Sequence, residues 1–193
     1  MTITANSAAA SGVHVPEGWA AGTWTIDPAH SMVSFSVRHL MSRVRGGFSE
    51  VSGRIVTGTD PAESSVSAEI AAASVSTGTQ MRDDHLRSAD FLDAGRYPVM
   101  RFSGGALRPA GGGWVLAGEL TIRDVTRPLD LEVEFLGSDP TGLQGERRVG
   151  FSALTSISRR DFGITFGLAG GGAKIVVADT IDIALDVQAF AAA

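Results

Sequence analysis

The chain has 193 residues (20.0 kDa), 44% of them hydrophobic and 19% charged, with no cysteine and a net charge of −5. Such proportions describe a single globular domain able to bury a sizeable core, not a disordered chain. They exclude thiol catalysis, disulfides and zinc–thiolate or iron–sulfur sites, and a pI near 5.3 has the wrong sign for a general nucleic-acid binder.

Residues 1–21 are rich in Ala, Ser, Thr and Gly with little periodicity, and they read as a flexible tail ahead of one domain spanning 22–193. The tail has no basic segment leading into a long apolar run, so no signal peptide is visible, and no later stretch has the length of a membrane-spanning helix. The expectation is a soluble, cytoplasmic protein, with a periplasmic or extracellular site only if the chain has been trimmed. From residue 22 the dominant period is two. Val33, Phe35 and Val37 alternate with Ser34, Ser36 and Arg38, as in a half-buried strand. The same alternation recurs through Val51–Ile55, Val66–Ile70, Met100–Phe102, Leu116–Ile122, Leu129–Phe135, Val149–Ala153 and Ile181–Val187. Between the runs stand turn signals at Asp60-Pro61, Gly104-Gly105, Gly111 to Gly113, Gly137 to Pro140 and Gly170 to Gly172. About eight strands joined by short turns predict an all-β antiparallel sandwich or barrel.

One segment departs from this period. Across Thr77–Gly95, Met81, His85, Ala89 and Leu92 fall on one helical stripe, with Thr79 as N-cap and Gly95 as the stop. A single helix in a β-meander plugs a barrel end or covers a sheet edge.

Motifs for chemistry are sparse. His14, His30, His39 and His85 show no metal-ligand spacing, and there is no G-x-S-x-G. The glycine run in 168–174 lacks the Gly-Lys-Ser/Thr ending of a phosphate loop and sits between strands. No metal or cofactor is expected. Glu132 and Glu134 read as a solvated strand face, and the bias of fifteen Arg to one Lys (Lys174) reads as codon usage.

An ordered set of fragments is more specific. Trp24-Thr-Ile-Asp27-Pro-Ala-His30-Ser31 opens the first strand and Arg38-His39-Leu40-Met41 closes it. Gly47-Phe48, Gly53, Arg82-Asp-Asp-His85-Leu86-Arg87, Asp90-Phe91-Leu92 and Tyr97-Pro98 follow, then Gly118 to Pro128 and Ile157-Ser-Arg-Arg160-Asp161-Phe162-Gly163. Together, over about residues 22–190, these resemble the YceI-like family of lipocalin-like polyisoprenoid-binding proteins. The resemblance implies an eight-stranded antiparallel barrel with a helix near its mouth and an apolar lumen. It further implies an isoprenoid or similar amphipathic lipid as partner, a possible homodimer and no family-wide catalytic activity. Phe35, Val37, Met100, Phe102, Ile122, Phe135, Phe151 and Ile183 are then the lumen candidates, with Ile55, Ile70, Val133 and Leu185 also facing inward. His30, His39, Arg82, His85 and Arg160 are the candidates for a polar head group, by bidentate Arg or imidazole hydrogen bonds. Two other readings stay open: an enzyme using the His and Arg cluster as acid–base groups, and a solid-core interaction protein.

Overall fold

The computed structural model describes residues 15–142, 145–167 and 177–192. Its strands are Gly22–Ile26 (β1), Met32–His39 (β2), Ser42–Phe48 (β3), Val51–Thr57 (β4), Ser65–Ala71 (β5) and Val75–Ser76 (β6). After the helix Gln80–Arg87 (α1) come Val99–Ala110 (β7), Gly113–Ile122 (β8), Val125–Asp139 (β9), Arg148–Ser158 (β10) and Val177–Ala191 (β11). The eleven segments form eight courses. β1 and β2 are halves of one course broken at 27–31, β3 and β4 of a second, and β5 and β6 of a third, so each course pairs antiparallel with the next in sequence. β11 closes the ring by pairing β2 along its first part and β1 along its last, Ile183 opposite Phe35 and Ala189 opposite Ile26. The result is a closed eight-stranded up-and-down antiparallel barrel, as the family resemblance implies and one of the two architectures the alternation allows.

Turn chemistry follows the sequence in most places. Gly111 and Gly112 both have positive φ and join β7 to β8 in a two-residue hairpin, which a side chain would disfavour at either position. Gly104-Gly105, by contrast, is not a turn: it lies within β7, and the register slips just beyond it, around the left-handed Ala106. The glycine run in 168–174 and the Gly170–Gly172 turn lie outside the described residues, as does His14.

The helix is shorter than its periodicity suggests. It ends at Arg87, with Ser88 as C-cap rather than Gly95, and Met81 projects into solvent with 81% exposure instead of joining the buried stripe. The Thr79 side chain makes no capping bond. The buried Asp83 carboxylate instead reaches back to accept hydrogen bonds from the Thr77 N–H and Oγ1, which straps the helix to the end of β6. Burial opposes ionisation of Asp83, but the Thr77 and Ser76 donors outweigh it and hold its pKa below the usual carboxylate range.

The far end of the barrel is closed from within the stretch expected to be a tail. Trp19 stacks on Trp114 at 6.5 Å and meets Phe135 and Phe151 edge-on at 5.3 and 6.2 Å. Its Nε1 donates to the Gly58 carbonyl at 2.9 Å, and Thr57 Oγ1 donates to the carbonyl of the neighbouring Ala20. An aromatic residue that buries this much surface anchors its own backbone, so the ordered domain begins before residue 22.

The break at 27–31 is held by one buried carboxylate. Asp27 accepts from His30 Nδ1 and Arg148 Nη1, each at 2.8 Å, and from the Ala29 N–H at 2.9 Å. Burial raises its pKa, but these donors outweigh that effect and bring it down to about 2. Because the folded value lies below the unfolded one of about 3.9, this stabilisation is complete above pH ~4 and is lost as the pH falls toward 2. A shift of this size is worth about 2 kcal/mol. Urea unfolding of wild type and Asp27→Asn between pH 5 and 2 checks it. Wild type is expected to lose about 2 kcal/mol more than the variant over that range, and parallel pH profiles would refute the assignment.

Candidate functional site

An eight-stranded barrel is just wide enough to be filled by its own side chains or to hold one small ligand. Here glycines on neighbouring strands receive the larger rings. A Cβ on Gly46 would lie 2.6 Å from Phe35 Cζ, and one on Gly118 would lie 2.5 Å from Phe102 Cζ. Both rings therefore occupy the inward sites of glycines and lie along the wall, which leaves the axis open.

The open space forms two compartments. The lower, of about 150 Å³, is lined among others by Trp19, Ala68, Phe102, Phe151 and Ala153. The upper, of about 280 Å³, runs past Phe35, Val37, Met100 and Ile122 to the helix. Both share walls at Val33, Ile70, Leu120 and Ile183, so they lie end to end in one lumen. Of the lumen candidates, Phe35, Val37, Met100 and Ile122 fall in the upper compartment, Phe102 and Phe151 in the lower, and Ile183 at the waist. Ile55, Val133 and Leu185 line the lower compartment and Ile70 both. Phe135 lines neither and packs into the aromatic floor against Trp19 and Phe151.

Polar side chains gather at the upper end. His39 from the end of β2 and Arg82 and His85 from α1 all line the upper compartment. Arg82 donates from Nε to Thr77 Oγ1 at 2.6 Å and from Nη2 to the Thr77 carbonyl and Thr79 Oγ1, both at 3.1 Å. His85 stands edge-on to Phe91 and Phe166 at 5.0 and 4.7 Å, and its Nε2 donates to Asp90 at 2.8 Å. Phe166 and His85 line the compartment and also reach solvent, which marks its mouth.

The remaining two head-group candidates lie elsewhere. His30 belongs to the Asp27–Arg148 cluster at the break between β1 and β2, toward the opposite end from His39, and is mostly exposed. Arg160 is exposed; its backbone N–H donates to Asp179 at 3.1 Å and its carbonyl accepts from the Gly163 N–H at 2.9 Å. Its neighbour Arg159 takes the inward place instead. Arg159 is 2% exposed, lines the upper compartment, and donates to the carbonyls of Ala178, Ile164, Phe166 and Val177 at 2.9, 3.2, 2.6 and 2.9 Å. Burial lowers its pKa, and the nearby Asp179 carboxylate only partly offsets that. The signal for Arg159 was present in the sequence. Counting by two from Phe151 through Ala153 and Ile157 reaches 159, so strand phase points Arg159 inward and Arg160 outward.

Among the described residues neither Arg82 nor Arg159 forms an ion pair. The compartment they line thus has positive charge at one end and an otherwise apolar wall. Among the described residues, no three His, Asp or Glu side chains converge as metal ligands. The geometry fits an amphipathic chain with its tail in the lumen and its polar end under the helix.

Comparison with known proteins gives the same architecture. The YceI-like domain model matches residues 24–189. Protein YceI of Escherichia coli O17:K52:H18 is 36% identical over 139 residues, covering 70% of this chain and 71% of that protein. The crystal structure of Burkholderia cenocepacia BcnA superposes with a TM-score of 0.73 at 25% identity, over 84% of this chain and 98% of that one. A polyisoprenoid binding domain from Saccharophagus degradans, implicated in plant cell wall breakdown, shares the fold with a TM-score of 0.67 at 17% identity, over 88% and 98%. With the family model spanning the barrel from β1 to the end of β11, the chain belongs to the YceI-like domain family.

Proposed function

We propose that the protein holds an amphipathic isoprenoid-like lipid, of polyprenyl or quinone type, in the barrel lumen and does not transform it. The observation that carries this reading is the polarity of the lumen. It is apolar from the Trp19 floor past the waist, and its charged and imidazole groups (His39, Arg82, His85 and Arg159) stand only at the helix end. A prenyl chain is insoluble because its hydrocarbon surface costs about 25 cal/mol per Å² in water. Burial contributes roughly 0.8 kcal/mol per methylene, less the entropy of ordering the chain, so a few isoprene units give useful affinity. The polyisoprenoid binding of the Saccharophagus degradans domain, which shares this fold, supports the same ligand class.

Native mass spectrometry of the purified protein, followed by organic extraction, tests the proposal. A stoichiometric prenyl lipid or quinone is expected, along with loss of that mass in Ile183→Asp, which sets a carboxylate at the waist. Circular dichroism of this variant checks that it is folded. A wild-type protein that stays apo after incubation with prenyl lipids overturns the proposal.

A further inference from the structure

Large apolar side chains on the surface are concentrated at the mouth. Of eight exposed large hydrophobics among the described residues, Leu40, Met41, Met81 and Phe166 lie at the helix end, and they include the two most exposed of these, Met41 at 97% and Met81 at 81%. Leu40 and Met41 are the two-residue tip of the β2–β3 hairpin, whose flanks His39 and Val44 line the upper compartment. Leu40 adopts a left-handed conformation, φ 52°, which a short polar turn residue such as Asn accepts more readily. A Leu-Met pair at a solvent-facing turn therefore has no local backbone rationale.

The hairpin itself carries charge of one sign, whereas the neighbouring β11 carries Asp179 and Asp182. Residues 38–45 hold Arg38, Arg43 and Arg45 and no acid. Arg43 pairs with Asp182, while Arg38 and Arg45 are exposed and form no ion pair among the described residues. The acids nearest the mouth on the helix side are engaged, Asp84 with Arg87 and Asp90 with His85, and Asp83 is buried under the Thr77 donors. Arginine stems can lie along an apolar boundary with their heads in the headgroup layer, and an apolar tip flanked by unpaired basic groups suits the surface of an anionic bilayer.

We infer that the β2–β3 hairpin tip, with Met81 and Phe166, is a docking surface for an anionic lipid bilayer, setting the mouth of the lumen against the membrane so that a lipid exchanges without crossing water. This rests on the proposed lipid-holding function, since an insoluble ligand must enter where the lumen opens, and the apolar surface is continuous with that opening.

Vesicle co-sedimentation at low salt tests it, using a two-to-one mixture of phosphatidylcholine and phosphatidylglycerol against phosphatidylcholine alone. Wild type is expected to bind the mixed vesicles and not the neutral ones, with binding weakened by added salt. Met41→Asp, and Leu40→Asn with it, should reduce that binding tenfold or more. Leu136→Asp and Leu154→Asp, at exposed apolar positions away from the mouth, should leave it unchanged. Lipid loading from detergent micelles is measured on the same proteins, and retained loading by Met41→Asp shows an intact lumen. A wild type that loads from micelles but ignores mixed vesicles overturns the docking surface alone, whereas failure to load from micelles falls on the lipid-holding reading. Equal vesicle binding by Met41→Asp and wild type also overturns it. So does a variant that only converts a dimer to a monomer, because the tip then meets a second copy of the chain.

Discussion

Replacing Arg159 with methionine is expected to destabilise the barrel by about 3 kcal/mol, a fall in Tm of roughly 6–12 °C for a chain of this length. Methionine keeps most of the stem but none of the donors. Four carbonyls then lose their partner, those of Ile164 and Phe166 on one side and Val177 and Ala178 on the other. Hydrogen bonds from a charged donor contribute about 1.5–3 kcal/mol each, and the relief of a desolvated guanidinium offsets part of that sum. The guanidinium joins the end of β10 to both the start of β11 and residues 164–166, so the damage should localise to the mouth. Hydrogen exchange is expected to rise at 160–166 and 177–180 while the Trp19 floor keeps its protection. Arg159→Lys should recover only a minor part, because a single ammonium cannot satisfy four carbonyls spread around a planar fork. An Arg159→Met protein with unchanged Tm and exchange would show that those carbonyls find other donors and that the guanidinium is free for a ligand.

This residue also shows where sequence reading reaches and where it stops. Period-two alternation identifies which residues face inward, and it does so for Phe35, Met100, Phe102, Ile122 and Ile183 because one wall of each strand is apolar. It fails at Arg159 because a buried arginine breaks the apolar code, even though the phase of the strand still points inward. His30 and His39 bracket the single strand β2 in the sequence, which suggests proximity. In the barrel they stand toward opposite ends, since eight residues of strand extend for about 26 Å. Trp19 was illegible for another reason: its partners Trp114, Phe135 and Phe151 lie on distant strands, and the residues beside it show no strand or helix period that would mark it as buried. The helix boundary failed through tertiary override, with the Asp83 strap rather than a Thr79 cap fixing its start.

Alternation likewise gives faces but not volumes, and Ala153→Trp is the variant that turns volume into a measurement. Ala153 faces the lower compartment between Val133 and Leu185 on the adjacent strands. In a solid core the added indole would overpack the interior at a cost of about 1–3 kcal/mol. In a hollow lumen it enters existing space and gains contact with Phe151 and the walls, so stability is expected to stay within about 1 kcal/mol of wild type. The ligand then loses the lower compartment. Removing only two buried methylenes, at roughly 0.8 kcal/mol each, is enough for a tenfold change in affinity. Long-chain prenyl lipids are therefore expected to bind tenfold or more weakly, while a short-chain analogue confined to the upper compartment binds within about threefold of wild type. Displacement of a fluorescent prenyl probe, run beside urea unfolding, separates the possibilities. Strong destabilisation would mean that the barrel is packed at this level, and equal weakening for long and short chains would mean that the tail never reaches the floor. Selective loss of the long chains at unchanged stability would make the distance from helix to Trp19 the ruler by which this barrel measures its ligand.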